Sequence, residues 1–150
     1  MTTTEIDRDE WSPQGPVTEL SEAHAWLLLG SETFGRLALS MDNHPQIFPV
    51  NFAVSEKTVI FRTANGAKLR ELLHNQWVAF EADAVEDNEA WSVVLRGQAH
   101  VITDAAQIAI ADALELPDWI PTLEYVYVRV TPSDIRGRHF AHRLRAERQP

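Results

Sequence analysis

The sequence predicts a mostly β fold with a few short helices, in which six or seven strands form a closed or nearly closed antiparallel barrel. Strand-like segments recur along the chain, and short turns connect many of them, as in antiparallel sheets. Helical spacing of apolar residues is confined to a few short segments. The chain has 150 residues, of which 45% are hydrophobic, so we expect one domain with a substantial core.

The N-terminal part of the chain differs in composition from the rest. Residues 1–17 include three threonines, four acidic residues and two prolines, and we predict a flexible arm there. Ser21 is a good N-cap for a helix that extends to about Leu29. The folded domain is therefore predicted to span residues 18–140, followed by a polar, arginine-rich tail at residues 141–150.

Three predicted strands follow the first helix, and polar turns separate them. Residues 34–40 form the first strand, and residues 58–61, which are β-branched or aromatic, form the third. In the second strand, residues 46–54, one row of alternating apolar side chains is directed toward the core, namely Phe48, Val50, Phe52 and Val54. Asn51 then falls on the opposite face of this strand.

The second half of the chain continues the sheet. Residues 76–84 alternate between apolar and acidic side chains and form the fourth strand, before an acidic loop at residues 85–90. Residues 91–103 form a long fifth strand, in which Gly97 indicates a bulge, a bend or a close approach of another backbone. The sixth strand is predicted at residues 123–131.

Two further segments complete the predicted domain. Asp104 is the expected N-cap of a helix between the fifth and sixth strands, with a shared apolar face formed by Ala106, Ile110, Ala113 and Leu114. Residues 134–140 are a candidate continuation of the sheet beyond the sixth strand.

The stretch from Phe61 to Leu69 predicts the end of a strand, a tight turn and the start of a helix at Ala67. Asn65 is a good N-cap, and Gly66 allows the backbone to turn closely. This arrangement directs unpaired backbone N–H groups and the positive end of the helix dipole at whatever lies in front of the turn.

Arg62, Thr63 and Lys68 add two cations and a hydroxyl group to this turn. We interpret the turn as a phosphate-binding site, in which the two cations form charge-assisted hydrogen bonds. The alternative is an ordinary strand-to-helix turn with a solvated lysine and arginine, because neither a Walker motif nor a dinucleotide-binding glycine pattern is present.

The composition excludes several classes of function. A net charge of −9 disfavours a nucleic-acid partner, and the absence of cysteine excludes disulfides, thiol nucleophiles and cysteine-bound metals. We find neither a signal peptide nor an apolar run long enough to span a bilayer, so a cytoplasmic location without membrane association is expected. His139 and His142 are interpreted as solvated tail residues, and no metal site is expected.

The order of the motifs resembles the pyridoxamine 5′-phosphate oxidase-like family of flavin-binding split β-barrels, in particular its small actinobacterial members. The likeness covers roughly residues 20–140 and includes residues 34–38, 49–52, 61–63 with Gly66 and Lys68, 78–83, 91–94, 97–99 and 136–138. The resemblance implies a six-stranded antiparallel split barrel. It also implies a homodimer with two cofactor sites at the interface between the subunits.

The resemblance further implies that the cofactor is FMN, or a deazaflavin as in some relatives. By the same resemblance, the turn from Arg62 to Lys68 holds the phosphate, the strand from Pro49 to Phe52 lies along the ring system, and Trp91 and Ser92 approach the flavin. The implied cofactor-binding residues are Pro49, Val50, Asn51, Phe52, Arg62, Thr63, Lys68, Trp91 and Ser92.

Individual side chains retain alternative roles. Asn51 is placed to bond a flavin ring edge or a facing loop, and Arg36 to contact the cofactor or to pair with Glu81 or Asp83 across the sheet. Trp91 flanks the ring, or it is a core or interface aromatic residue. No general acid or base stands out, as expected when the flavin itself carries the electrons.

The sequence therefore predicts an FMN-binding oxidoreductase of unassigned small-molecule substrate. Ala90 precedes Trp91 where relatives often have glycine, and no residue set for binding pyridoxamine phosphate is found. The alternatives are a deazaflavin-dependent reductase on the same fold and a non-catalytic protein that binds or stores flavin.

Overall fold

The computed structural model describes residues 17–64, 66–117 and 124–141. Most of the predicted N-terminal arm, the predicted N-cap Asn65, and His142 with the rest of the tail lie outside these residues. The elements are β1 (Thr18–Leu20), α1 (Glu22–Gly30), β2 (Phe34–Met41), β3 (His44–Ser55), β4 (Thr58–Ala64), α2 (Ala67–His74), β5 (Trp77–Glu86), β6 (Glu89–Val101), α3 (Ala105–Ala113) and β7 (Tyr125–Ala141).

The strands form one antiparallel sheet that closes on itself. Their order is β1-β7-β4-β3-β2-β5-β6, and β7 pairs a second time, with β6. The six strands β2–β7 therefore make a closed ring, and β1 is a short addition paired with residues 137–139 of β7. The mostly β, split-barrel fold predicted from the sequence is confirmed.

Large apolar side chains fill the inside of the ring. The predicted alternation in β3 is confirmed, since Val50 and Phe52 are buried and Phe48 and Val54 pack against the core. The rings of Phe52 and Phe80 meet edge to face, with their centroids 4.7 Å apart. Such aromatic contacts add to the stabilisation that comes from burying the apolar surface.

Two capped helices cover parts of the ring. The side chain of Ser21 accepts a hydrogen bond from the backbone N–H of His24, and that of Asp104 accepts one from Gln107, so both predicted N-caps are confirmed. Helix α1 buries Ala25, Trp26 and Leu29 in the main core. Helix α3 and the residues after it cover a second, smaller cluster outside the ring, formed by Ile60, Ala111, Leu116 and Tyr127.

The structure differs from the sequence prediction at several places. In α3 the predicted apolar face is wrong, because Ala106, Ile110 and Ala113 are exposed, whereas Ala111 is buried and Ile108 packs against the second cluster. Strand β7 runs unbroken from Tyr125 to Ala141, where a strand and a separate continuation were predicted. The predicted acidic loop at residues 85–90 is instead a hairpin in which β5 and β6 continue up to a tight turn at residues 87–88. Strand β1 was not predicted, because three residues are too short to show a pattern.

The position of Gly97 confirms the interpretation of that glycine. The register between β6 and β7 shifts between Arg96 and Gly97, which marks a bulge. A Cβ atom at residue 97 would clash with the carbonyl oxygen of Thr131 and lie 2.7 Å from the Cα of Pro132. The backbone of β7 therefore approaches so closely that only glycine fits.

Candidate functional site

The candidate residues of β3 divide between the two faces of the sheet. Val50 and Phe52 point into the ring and are 7% and 1% exposed. Pro49 and Asn51 point outward, and Asn51 lies opposite Phe34 of β2 in the register. The side chains of Val50 and Phe52 are therefore not available to a molecule that lies on the outside of β3.

The candidate residues of β6 divide in the same way. Trp91 packs against the main core and lies opposite Ala84 of β5 and His139 of β7. Ser92 faces outward, opposite Asp83 and Arg138. Trp91 and Asn51 are thus on opposite faces of the sheet, whereas Ser92 and Asn51 share one.

We call the surface formed by the outward residues of β3, β2, β5 and β6 the outer face. It carries Asn51, Phe34, Arg36, Glu81, Asp83 and Ser92. Asn51 of β3 and Ser92 of β6 are three strands apart in either direction around the six-stranded ring, so their side chains project from opposite sides of it. Phe34, which the sequence analysis did not single out, is 40% exposed beside Asn51.

An ion-pair cluster lies at the centre of the outer face. The guanidinium of Arg36 contacts the Oε1 of Glu81 at 2.5 Å and the Oδ2 of Asp83 at 3.0 Å. Of the two roles considered for Arg36, pairing across the sheet is therefore the one that the structure shows.

The pKa values of Glu81 and Arg36 in this cluster are both raised. Burial raises the pKa of Glu81, the hydrogen bond from Arg36 lowers it, and the hydrogen bond and charge of Asp83 raise it again, so that the net pKa is above the ordinary value. The hydrogen bond to Glu81 also raises the pKa of Arg36. Arg36 thus forms ion pairs with two carboxylates, Glu81 and Asp83, that repel each other.

The side chains of the two candidate residues at the end of β4, Arg62 and Thr63, also point to alternate faces of the sheet. Thr63 points into the ring and is 9% exposed, and its hydroxyl donates to the carbonyl of Ala64 at 3.4 Å. Arg62 points outward, to the side where α3 packs. The side chains of Thr63 and Arg62 are therefore directed to opposite faces of the sheet.

Arg62 binds the segment that follows α3. Its Nη2 donates to the carbonyls of Leu116 at 2.7 Å and Pro117 at 3.0 Å. Its guanidinium carbon lies 5.0 Å from the centre of the Tyr125 ring, a cation–π distance. Neither Tyr125 nor these two carbonyls was recognised from the sequence, because the contacts join residues far apart along the chain.

Helix α2 begins directly after β4, as predicted. Strand β4 ends at Ala64 and α2 starts at Ala67, with Lys68 as its second residue. The N–H of Arg70 bonds to the carbonyl of Gly66, so the N–H groups that precede Arg70 in the helix point out of its N-terminus. The side chain of Lys68 lies outside the described residues.

The described residues contain no group of three or more His, Asp or Glu side chains that could hold a metal ion. In the same part of the chain, none of the helices has the length and apolar character that crossing a bilayer requires.

The closed antiparallel ring and the strand–turn–helix after β4 agree with one family of proteins. The family model for pyridoxamine 5′-phosphate oxidase matches residues 21–139. The chain belongs to this family.

Individual relatives are found among actinobacterial proteins. A solved protein of Corynebacterium glutamicum is 46% identical, with a TM-score of 0.78 over 84% of this chain and 99% of that one. The FAD binding protein of Mycobacterium smegmatis is 42% identical, with a TM-score of 0.74 over 83% of this chain and 98% of that one. An uncharacterized protein of Mycobacterium tuberculosis is 45% identical over 87 residues, which are 58% of this chain and 79% of that one.

Proposed function

We propose that this protein is a flavin-binding oxidoreductase that holds its cofactor at the interface of a homodimer. The observation that carries the proposal is the junction of β4 and α2, which presents a helix N-terminus with Lys68 in its first turn. The 42% identity to the FAD binding protein of Mycobacterium smegmatis supports a flavin as the ligand.

The phosphate of the flavin would lie in front of α2. Backbone N–H groups at a helix N-terminus bind anions, and the helix dipole adds to the attraction. A cation in the first turn of a helix is mildly unfavourable in the free protein, because the positive end of the helix dipole repels it, and Lys68 is the second residue of α2. A bound phosphate reverses this effect, since Lys68 and the N–H groups then act on the same anion.

The ring system would lie along the outside of β3. Pro49 and Asn51 face outward there, whereas the side chains of Val50 and Phe52 are buried and the backbone N–H of Phe52 is bonded to the carbonyl of Thr33. Ser92 also points outward, but from β6, which is three strands away from β3. Trp91 remains a candidate because its side chain is only partly buried. It lies on the inner face of β6, so it would contact a ligand from the face opposite that of Ser92.

When bound, the flavin supplies the electron transfer, and the chain's own residues bind it, orient it and exclude water. We propose FMN as the cofactor, as the family resemblance implies. FAD is the second candidate, because the relative from Mycobacterium smegmatis is described as an FAD binding protein.

A second copy of the chain would cover the outer face. Phe34, Ile47 and Trp77 are 40%, 68% and 57% exposed on this surface. Large exposed apolar side chains on one face are typical of a protein–protein interface, and a permanent dimer buries about 2,000 Å² or more. Analytical ultracentrifugation at low micromolar concentration is expected to show a dimer, and a monomer there would refute this part of the proposal.

The visible absorption spectrum of the purified protein tests the proposal as a whole. We expect the bands of a bound oxidised flavin, or their appearance when the apoprotein is titrated with FMN or FAD. A protein that binds neither flavin would contradict it. A colourless protein that binds only a deazaflavin would point to a deazaflavin-dependent reductase.

A further inference from the structure

We propose that Arg62 and Tyr125 form a binding surface for the adenine of FAD, beside the turn between β4 and α2. The inference rests on the proposed function, which places the flavin phosphate at this turn. It adds a site for the part of the dinucleotide that FMN lacks, and it assigns Arg62 to that part.

The position of Tyr125 fits this role. In the register of β4 and β7, Tyr125 lies directly opposite Ala64, the last residue of β4 before the turn. FMN ends at its phosphate, whereas FAD continues through a second phosphate and a ribose to adenine. The additional half of FAD must therefore leave the turn across a neighbouring surface, and Tyr125 is 43% exposed on one such surface.

The two side chains are held in place by their own contacts. The guanidinium of Arg62 is fixed by the carbonyls of Leu116 and Pro117 and lies 5.0 Å from the Tyr125 ring centre. The Tyr125 ring meets that of Tyr127 edge to face, at 5.5 Å and 80°. A surface that is already ordered costs little entropy on binding.

The support beneath this surface is also ordered. Tyr127 is 6% exposed, and its hydroxyl donates to the carboxylate of Asp112 in α3 at 2.6 Å. Tyr127, which is fixed by its hydrogen bond to Asp112 of α3, therefore supports the ring of Tyr125.

The chemistry of the pair suits a purine diphosphate. Adenine stacks on aromatic rings and on guanidinium planes, and a fixed positive charge attracts the pyrophosphate that links the two halves of FAD. The inferred ligand is therefore FAD, the second of the two candidate cofactors, which this surface favours over FMN; its adenosine half would lie on Arg62 and Tyr125.

Calorimetric titration of FAD, FMN and riboflavin against the wild type, Tyr125→Leu and Tyr125→Phe tests the inference. We expect the wild type to bind FAD more tightly than FMN. Tyr125→Leu should weaken FAD about tenfold, the effect of losing one stacked base, and FMN less than about twofold. Tyr125→Phe, which retains the aromatic ring, should keep the preference for FAD.

The other outcomes separate the two proposals. Equal binding of FAD and FMN by the wild type, or an equal loss of both in Tyr125→Leu, would overturn the adenine surface and leave the proposed function in place. A wild type that binds no flavin would overturn the proposed function itself, and the adenine surface with it. Thermal unfolding of each variant without ligand verifies that the fold is retained.

Discussion

Arg36 and Glu81 form an ion pair at 2.5 Å across β2 and β5, yet the pKa of Glu81 is above its ordinary value. An arginine alone would lower that pKa, but burial and the neighbouring Asp83 together outweigh its effect. The outer face therefore contains a carboxyl group that takes up a proton more readily in the folded protein than in the unfolded chain.

The stability of the protein should depend on pH through Glu81. Above the ordinary value of 4.5, the native state binds more protons at this residue than the unfolded state does. The contribution of Glu81 to the free energy of unfolding therefore falls as the pH rises from this value through the raised native pKa. Glutamine resembles the protonated acid, so the stability of Glu81→Gln relative to the wild type should increase between about pH 4 and about pH 7.

Denaturant unfolding of both proteins across this pH range measures the trend. Glu86→Gln is a matched control, because Glu86 lies at the exposed end of the same strand. A difference between Glu81→Gln and the wild type that stays constant, or falls as the pH rises, would show that the ion pair with Arg36 dominates.

The bulge at Gly97 should not tolerate any side chain. In Gly97→Ala the new methyl group would meet the backbone of Thr131 and Pro132, so β6 and β7 would have to move apart. We expect a loss of about 1–3 kcal/mol or more in the free energy of unfolding.

Gly30→Ala is the control for this substitution. Gly30 ends α1, and a Cβ atom there has no neighbour within 4 Å. Alanine at this position should stabilise the protein by about 0.4–1 kcal/mol, because it restricts the unfolded chain. Equal effects of the two substitutions, measured by denaturant unfolding, would mean that the contact of Gly97 with β7 is not tight.

Asn51 and Trp91 lie on opposite faces of the sheet, so substitutions of the two residues should differ in their effect on stability. Asn51 is on the outer face and Trp91 packs on the core, so Asn51→Ala should change the free energy of unfolding by within about 0.5 kcal/mol, and Trp91→Ala by more. If the ring lies along β3, Asn51→Ala should nevertheless alter the affinity or the spectrum of bound flavin.

Flavin titration and denaturant unfolding of both variants provide the comparison. Trp91→Ala should change the fluorescence of the flavin, with dimerisation largely intact. If both variants bind flavin with the affinity and spectrum of the wild type, the ring is elsewhere.

Local patterns in the sequence predicted most of the fold. The alternation in β3, the N-caps Ser21 and Asp104, and the glycine at the bulge all act over a few residues, so the sequence displays them directly. The unbroken β7 was missed because Pro132 normally ends a strand. Here Pro132 lies opposite Gly97 beside the bulge, where a strand tolerates proline.

The candidate site was predicted less completely, since its geometry depends on pairings between distant strands. Alternation alone predicts that Arg62 and Thr63 point to opposite faces, but not which face is covered. Helix α3 covers the outer side of β4 and β7, and Tyr125 pairs with Ala64, because β4 and β7 pair when the ring closes. The contacts of the Arg62 guanidinium with the carbonyls of Leu116 and Pro117 could not be predicted for the same reason, and the assignment of Arg62 to the phosphate stays a prediction.

If the turn before α2 holds the phosphate of a flavin, Lys68 is the residue whose substitution should show it. The comparison is between FMN and riboflavin, which lacks the phosphate, for the wild type and Lys68→Ala. Arg70→Ala serves as the matched control, because Arg70 is an exposed cation of the same helix.

Calorimetric titration of the two ligands against the three proteins is the most direct measurement. The wild type should prefer FMN, and Lys68→Ala should weaken FMN by about 1.5–3 kcal/mol, the usual strength of a hydrogen bond to a charged group, with riboflavin unaffected. Lys68→Ala should also slightly stabilise the ligand-free protein, because it removes a cation from the positive end of the helix dipole. An FMN-to-riboflavin preference that is the same in the wild type, Lys68→Ala and Arg70→Ala would contradict the assignment of this turn as the phosphate site.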